Sequence, residues 1–198
     1  MSKKSDLCWS CGQKNSSPLL CTNCGKICEP QPLIDAFAFL GIPQSFTVDL
    51  ADLEQQYLTR SRLVHPDQNL LQSTQEKGYA TQITAALNEA YEILKHPVER
   101  GYHLLALQGI QPNREASVLD PQILLEVLED RETLESTEDP LALVPLIKST
   151  QEKRDTLLET IQEDFENNRF EQTLSKLVQY RYYEKFLQMA EQKSIQLC

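Results

Sequence analysis

Five of the six cysteines of this chain lie within its first 32 residues. Four of them form two pairs, Cys8-x-x-Cys11 and Cys21-x-x-Cys24, with a glycine, Gly12 and Gly25, directly after each pair. Two cysteines three positions apart can grip one Zn²⁺ from a tight turn whose backbone N–H groups point at sulfur, and the glycine permits that turn. Two such turns supply a tetrahedron of thiolates. The spacing therefore predicts a structural Zn²⁺ held by Cys8, Cys11, Cys21 and Cys24. With all four positions filled by sulfur, no coordination place is left for a catalytic water. Two disulfides in a secreted mini-domain are the alternative, but no secretory signal precedes the cysteines. A redox CxxC belongs beside a βαβ unit, and none is visible. Cys28 and Cys198 are surplus to the set; Cys28 could substitute as a ligand, and a free thiol is the simpler expectation.

The other triplet that could do chemistry is His65-Pro66-Asp67. Proline fixes the backbone between an imidazole and a carboxylate, so both are presented with little entropy loss. Alone, the triplet also reads as a histidine that ends a helix, followed by an aspartate cap. No serine or cysteine has an evident partner for nucleophilic catalysis, and spacing implies no second catalytic group for His65.

What positions these residues is helical. The composition is poor in glycine and rich in Leu, Glu and Gln, and strand signals are absent after residue 32. Residues 1–32 are too short and polar to build an apolar core and need a staple. Residues 33–110 begin with the run Leu33–Leu40, closed by Gly41-Ile42-Pro43. A helix then runs from the caps at Thr47-Val48-Asp49 to about Val64, with Leu50, Leu53, Tyr57, Ser61 and Val64 on one face. His65 should end it, because the residue before proline is pushed out of the helical region. A second helix spans about Gln75 to Lys95, with Ile83, Leu87, Ala90, Tyr91 and Leu94 as its stripe. Two such helices joined by a polar loop form an antiparallel hairpin with the triplet at its tip. A further helix from His96-Pro97 stops at Gly109, and Gln111-Pro112-Asn113 reads as a linker. Residues 111–198 read as three helices: Asp120-Pro121 to about Leu134, Asp139-Pro140 to about Phe165, and about Phe170 to Ala190. Pro145 is expected to delay or bend the middle one. No internal repeat is evident.

Charge excludes some functions. Twenty-nine acidic against 19 basic side chains give a net −10, which disfavours a broad grip on nucleic acid or an anionic membrane. Zn²⁺ with four thiolates also carries −2, cancelling the formal +2 of residues 1–32, so no basic surface for nucleic acid remains there. No apolar run is long enough to span a bilayer.

On its helical hairpin, with His65-Pro66-Asp67 at the tip, the stretch from about Leu33 to Leu107 resembles a J domain of DnaJ-type co-chaperones. The resemblance implies that His65, Pro66 and Asp67 dock on a DnaK-class chaperone ATPase and stimulate its hydrolysis. Arg60 and Arg62, on the helix before the triplet, would meet acidic groups of that ATPase. They are few for a J domain, and Gln68-Asn69 follows where a lysine is usual, which points to a specialised partner. A helical bundle follows in place of a Gly-rich linker or β-domain, and the Cys-Trp-x-Cys-Gly and Cys-x-x-Cys-Gly turns precede. With these, the chain from Cys8 to about Met189 is similar to the HscB/Jac-type co-chaperones of iron–sulfur cluster assembly, in their zinc-bearing branch.

The expected fold is all-α: an N-terminal zinc knuckle pair (1–32), a J-domain hairpin (33–110) and a C-terminal three-helix bundle (111–198). The implied function is non-enzymatic. The chain would stimulate an HscA/DnaK-class ATPase and deliver an IscU-type scaffold; the alternative is a general J-domain co-chaperone for unfolded clients. The scaffold-binding positions implied by the resemblance are Leu124, Leu125, Leu128, Glu129, Arg131, Glu132 and Tyr182. Residue periodicity independently supports an outward face: Ile123, Val127 and Leu134 fall within about 40° and suffice for a core stripe, which leaves some of Leu124, Leu125 and Leu128 exposed. A homodimer stays open. Met-Ser-Lys-Lys-Ser-Asp carries no apolar or Arg-rich leader, which favours the bacterial cytoplasm over a mitochondrial matrix.

Overall fold

The computed structural model of the protein describes residues 7–65, 73–110 and 121–197. Among them are seven helices and no extended strand: α1 (Ala36–Leu40), α2 (Leu50–Val64), α3 (Thr74–Lys95), α4 (Pro97–Leu107), α5 (Pro121–Ser136), α6 (Pro140–Glu166) and α7 (Phe170–Leu197). None of them is long and apolar enough to cross a membrane. The expected linker at 111–113 lies outside the described residues. The chain divides into two compact units, Met1–His103 and Leu104–Cys198.

Residues 7–28 fold as two short hairpins. Each is closed by an antiparallel bridge, Leu7 with Lys14 and Leu20 with Ile27. The second is the first shifted by thirteen positions, as Leu7-Cys8-x-x-Cys11-Gly12 becomes Leu20-Cys21-x-x-Cys24-Gly25. The structure thus reveals an internal repeat where none is evident in the sequence, because so few positions carry it.

Helices α1, α2 and α3 each begin on a side chain that accepts orphan N–H groups of the first turn. Asp35 receives Phe37 and Ala38 N–H at 2.9 and 3.2 Å, Asp49 receives Ala51 and Asp52, and Ser73 receives Glu76 N–H. Helix α1 ends on Gly41 in the left-handed region (φ 68°). Phe37 and Leu40 pack into a core completed by Leu53 and Val64 of α2 and by Ile83, Leu87 and Leu94 of α3. Tyr57 stacks on Tyr91 at 4.5 Å and donates to Asn88 Oδ1 at 2.8 Å, which fixes the register of α2 against α3. Leu50, expected in the stripe, is 56% exposed. As the first residue of α2, its side chain leans back off the helix end.

In the second unit, α6 and α7 form the main pair and α5 packs on α7. The apolar centre is Leu134, Leu143, Phe186 and Ala190. Helix α6 starts at Pro140, so Pro145 does not delay it, and its helical hydrogen-bonded run continues past Pro145. Pro145 is the sixth helical residue, so its missing N–H deprives only the carbonyl of Leu141, at the exposed start of the helix. The α6–α7 turn is organised by the buried carboxylate of Asp164, which accepts from Arg169 Nε at 2.9 Å and Lys176 Nζ at 2.5 Å. Asp164→Ala removes both charge-assisted bonds. The expected cost is about 2 kcal/mol, or a melting temperature of this unit lower by about 10 °C. An unchanged melting curve would show that the turn is held by packing alone.

Candidate functional site

Three groups of residues carry the chemistry, and the first is the sulfur cluster. In each hairpin the glycine after the second cysteine sits at positive φ, 70° at Gly12 and 71° at Gly25, with open space around its Cα. Backbone conformation rather than crowding requires glycine there. The turns close through Gly12 N–H to Cys8 O (2.9 Å) and Gly25 N–H to Cys21 O (2.9 Å), with the reciprocal bonds Cys8 N–H to Gln13 O and Cys21 N–H to Lys26 O, both 2.8 Å.

This brings the four Sγ atoms within 4.8 Å of one another. Cys8 and Cys24 are 3.7 Å apart, and Cys11 and Cys21 are 3.8 Å apart. A tetrahedral ion with metal–sulfur bonds of about 2.3 Å requires sulfur–sulfur edges of about 3.8 Å. The cluster is thus shaped for a metal ion. Its acidities agree. N–H donation from the Gln13 backbone and the Asn23 side chain pulls Cys11 down to about 6. At Cys24 the Lys26 backbone N–H favours the thiolate, but burial and the three neighbouring thiols outweigh it and push the group up to about 12. Four thiolates at this separation repel one another, and a divalent cation removes that repulsion. Cys28 stands outside the cluster: its thiol donates to Ser17 O (3.3 Å) and receives Asn15 Nδ2 (3.1 Å). Burial pushes its pKa up.

The sulfur hairpins lie against the start of α3. Trp9, inside the first pair, meets Tyr79 edge-on at 5.7 Å and donates its indole N–H to Ile27 O at 2.8 Å. Lys26, just past the second pair, places its ammonium 3.0 Å from both carboxylate oxygens of Glu76. Glu76 is only 2% exposed and also accepts from Ser73 N–H at 3.0 Å. Burial raises its pKa, but the bonds from Lys26 and Ser73 prevail and hold the carboxyl below its ordinary value. No reading of the sequence singled out Lys26 or Glu76. The Ser73-x-x-Glu76 capping box was a legible signal; the contact of Lys26 with a residue fifty positions away was not.

The second group is the hairpin tip. Helix α2 ends at Val64, and His65 follows in extended geometry (φ −60°, ψ 126°), exposed. That is the conformation the following proline imposes. Pro66 and Asp67 lie outside the described residues. The two arginines before the tip differ. Arg62 is exposed, whereas Arg60 donates Nε to Leu40 O at 2.8 Å and lays its guanidinium over Gly41, where a Cβ would stand 1.9 Å from the terminal nitrogen. Arg60 thereby fastens α2 to the end of α1.

The third group is on α5. Val127 and Leu134 are buried and Ile123 half-buried, as expected for the core stripe. Glu126, on the same side, pairs with Lys153 of α6. Leu124 (44% exposed), Leu125 (58%) and Leu128 (48%) face outward together with Glu129, Arg131 and Glu132. Tyr182, on α7, is 36% exposed. The C-terminal carbonyls of α5, at Leu134 and Glu135, are capped by the ammonium of Lys193 from α7.

Comparison with known proteins agrees with this geometry. Residues 35–103 match the DnaJ domain, and residues 119–191 match the HSCB C-terminal oligomerisation domain. The chain is 31% identical over 195 residues to the human iron–sulfur cluster co-chaperone protein HscB, covering 96% of this chain and 83% of that protein. It is 29% identical to the Arabidopsis thaliana HscB homologue, over 90% of this chain and 70% of that one. Among solved structures, the human co-chaperone HscB superposes with a TM-score of 0.87 at 30% identity, covering 96% of this chain and 99% of that one. Chaperone HscB from Vibrio cholerae does so with 0.76 at 29% identity, covering 83% and 99%.

Proposed function

This chain belongs to the HscB family of iron–sulfur cluster co-chaperones, and from that premise we propose that it couples an IscU-type scaffold to an HscA/DnaK-class chaperone. The observation that carries the reading is the outward face of α5. A helix whose core stripe is satisfied by Val127 and Leu134 leaves three leucines in water, edged by Glu129, Arg131 and Glu132. An apolar strip with a charged rim is how a helix presents a partner site. We assign that strip, with Tyr182 of α7, to the scaffold.

His65, Pro66 and Asp67 are assigned to the ATPase, together with the exposed Arg62 and with Arg60 on the same helix. The chain performs no covalent step. Its tip favours the ATPase conformation competent for hydrolysis, and the coupling is a difference in affinity between two states of the partner. Both contacts are transient, because a delivery factor must release what it carries. The matched C-terminal domain is described as an oligomerisation domain, which keeps a homodimer within the proposal. Zn²⁺ fits the sulfur cluster, with Cys8, Cys11, Cys21 and Cys24 as its four ligands. When bound it cross-links a segment whose own apolar content is too small to fold it.

The reading is tested by turnover of a purified HscA-type ATPase with scaffold, in the presence and absence of this chain; no acceleration would refute it. The scaffold face has its own test. Leu124→Ala with Leu128→Ala removes exposed side chains, so thermal stability stays within about 0.5 kcal/mol. Scaffold capture in a pull-down falls at least about tenfold, as for the truncation of interface anchors. Unchanged capture would move the scaffold site elsewhere and favour a general chaperone for unfolded clients.

A further inference from the structure

Both sulfur hairpins reach the first two turns of α3. Trp9 comes from the first and Lys26 from the second, and each is locked by the turn that the metal ligands define. The carbonyl of Lys26 accepts the N–H of Cys21, and its own N–H is directed at the sulfur of Cys24. The indole of Trp9 is tied to Ile27 O across the two hairpins. Their targets, Glu76 and Tyr79, stand on the first two turns of α3, with Ser73 as the cap. A capping-box glutamate ordinarily stands in water; Glu76 is buried, and Lys26 is the cation that makes its burial tolerable.

We infer that Lys26 and Glu76, with Trp9 on Tyr79, are positioning residues for the ATPase-stimulating segment. The metal-bound hairpins clamp the turn by which the chain re-enters α3 after His65-Pro66-Asp67, and so hold the far anchor of that segment. The inference rests on the ATPase reading given above. Its consequence is that metal in the sulfur cluster supports chaperone stimulation without contributing a contact to the chaperone.

The test uses the full-length, zinc-loaded chain with Lys26→Met and Lys26→Arg. Lys26 is partly exposed, so neither substitution disturbs the core. Hydrogen exchange of the amides from Lys77 to Ala80 accelerates about tenfold in Lys26→Met, as expected for the loss of a charge-assisted bond to a buried carboxylate. It stays near wild type in Lys26→Arg, and the amides of α7 do not change in either. Removing zinc from the wild type with a chelator reproduces the acceleration. In the ATPase assay, the Lys26→Met chain needs about ten times the concentration for half-maximal stimulation and reaches the same maximum, because a competent arrangement that is populated less often lowers apparent affinity only. Unchanged exchange at Lys77–Ala80 overturns the clamp. Accelerated exchange with an unchanged half-maximal concentration overturns its part in stimulation. A wild-type chain that gives no stimulation overturns the ATPase reading and, with it, the role of the clamp.

Discussion

Exchanging His65 for Gln abolishes stimulation of the chaperone ATPase and leaves scaffold capture unchanged. The substitution is nearly isosteric and falls on an exposed residue one position past the last turn of α2, so folding stability should move by no more than about 0.5 kcal/mol. What is lost is a rigid imidazole held in extended geometry. Glutamine restores a hydrogen-bonding tip but adds rotamers that must be frozen on contact. The scaffold face proposed above is on α5, in the other compact unit, so capture should survive a change confined to the hairpin tip. Phosphate release with saturating scaffold, set beside a pull-down of the same preparations, decides it. Loss of both activities together would show that the assignment of two functions to two units is wrong.

Removing the metal has the second large effect. Residues 7–28 bury little besides Leu19, Ile27 and the cysteines Cys8, Cys21 and Cys28, and structural zinc in comparable small modules supplies about 10–16 kcal/mol. Chelation, or Cys21→Ser, should therefore unfold this segment outright while α6 and α7 keep their helicity. Trp9 is the only tryptophan of the chain, so its emission reads the event directly: it shifts to the red as the indole leaves Tyr79 and Ile27 and enters water. Metal analysis should find one zinc per chain before chelation, and disulfide-exchange assays should find no activity. Native Trp9 emission after complete metal loss would mean that packing alone holds the hairpins, and measurable exchange would restore a redox role for the cysteines.

Sequence patterns that act locally were legible. Cys-x-x-Cys-Gly dictates its own turn, Asp49 caps its own helix, and Pro66 dictates the backbone of His65. Periodicity also sorted α5 correctly, placing Val127 and Leu134 inward and leaving leucines over for the surface. What escaped depends on contacts between distant positions. Arg60 has the same chemistry as Arg62, yet only the fold sets one over Gly41 and the other in water. Asp164 lies in a charge run that is indistinguishable from ordinary solvated helix until Arg169 and Lys176 converge on it. Leu50 fits the helical stripe by angle, and only its place at the helix end exposes it. Lys26 and Glu76 are the clearest case, since neither residue type nor spacing hints that they meet.

The doubled sulfur hairpin has a further consequence. Exchanging the two copies interchanges the Cys8–Cys24 and Cys11–Cys21 pairs, whose separations are nearly equal, so the ligand set has pseudo-twofold symmetry. A module of identical halves would have two equivalent ways to sit on a helix. Here the duplicates have diverged at the corresponding positions Trp9 and Thr22, and Gln13 and Lys26. Each copy keeps one of the two side chains that grip α3, and its counterpart in the other copy could not replace it. The divergence removes the orientational degeneracy of the duplication and leaves a single docked pose.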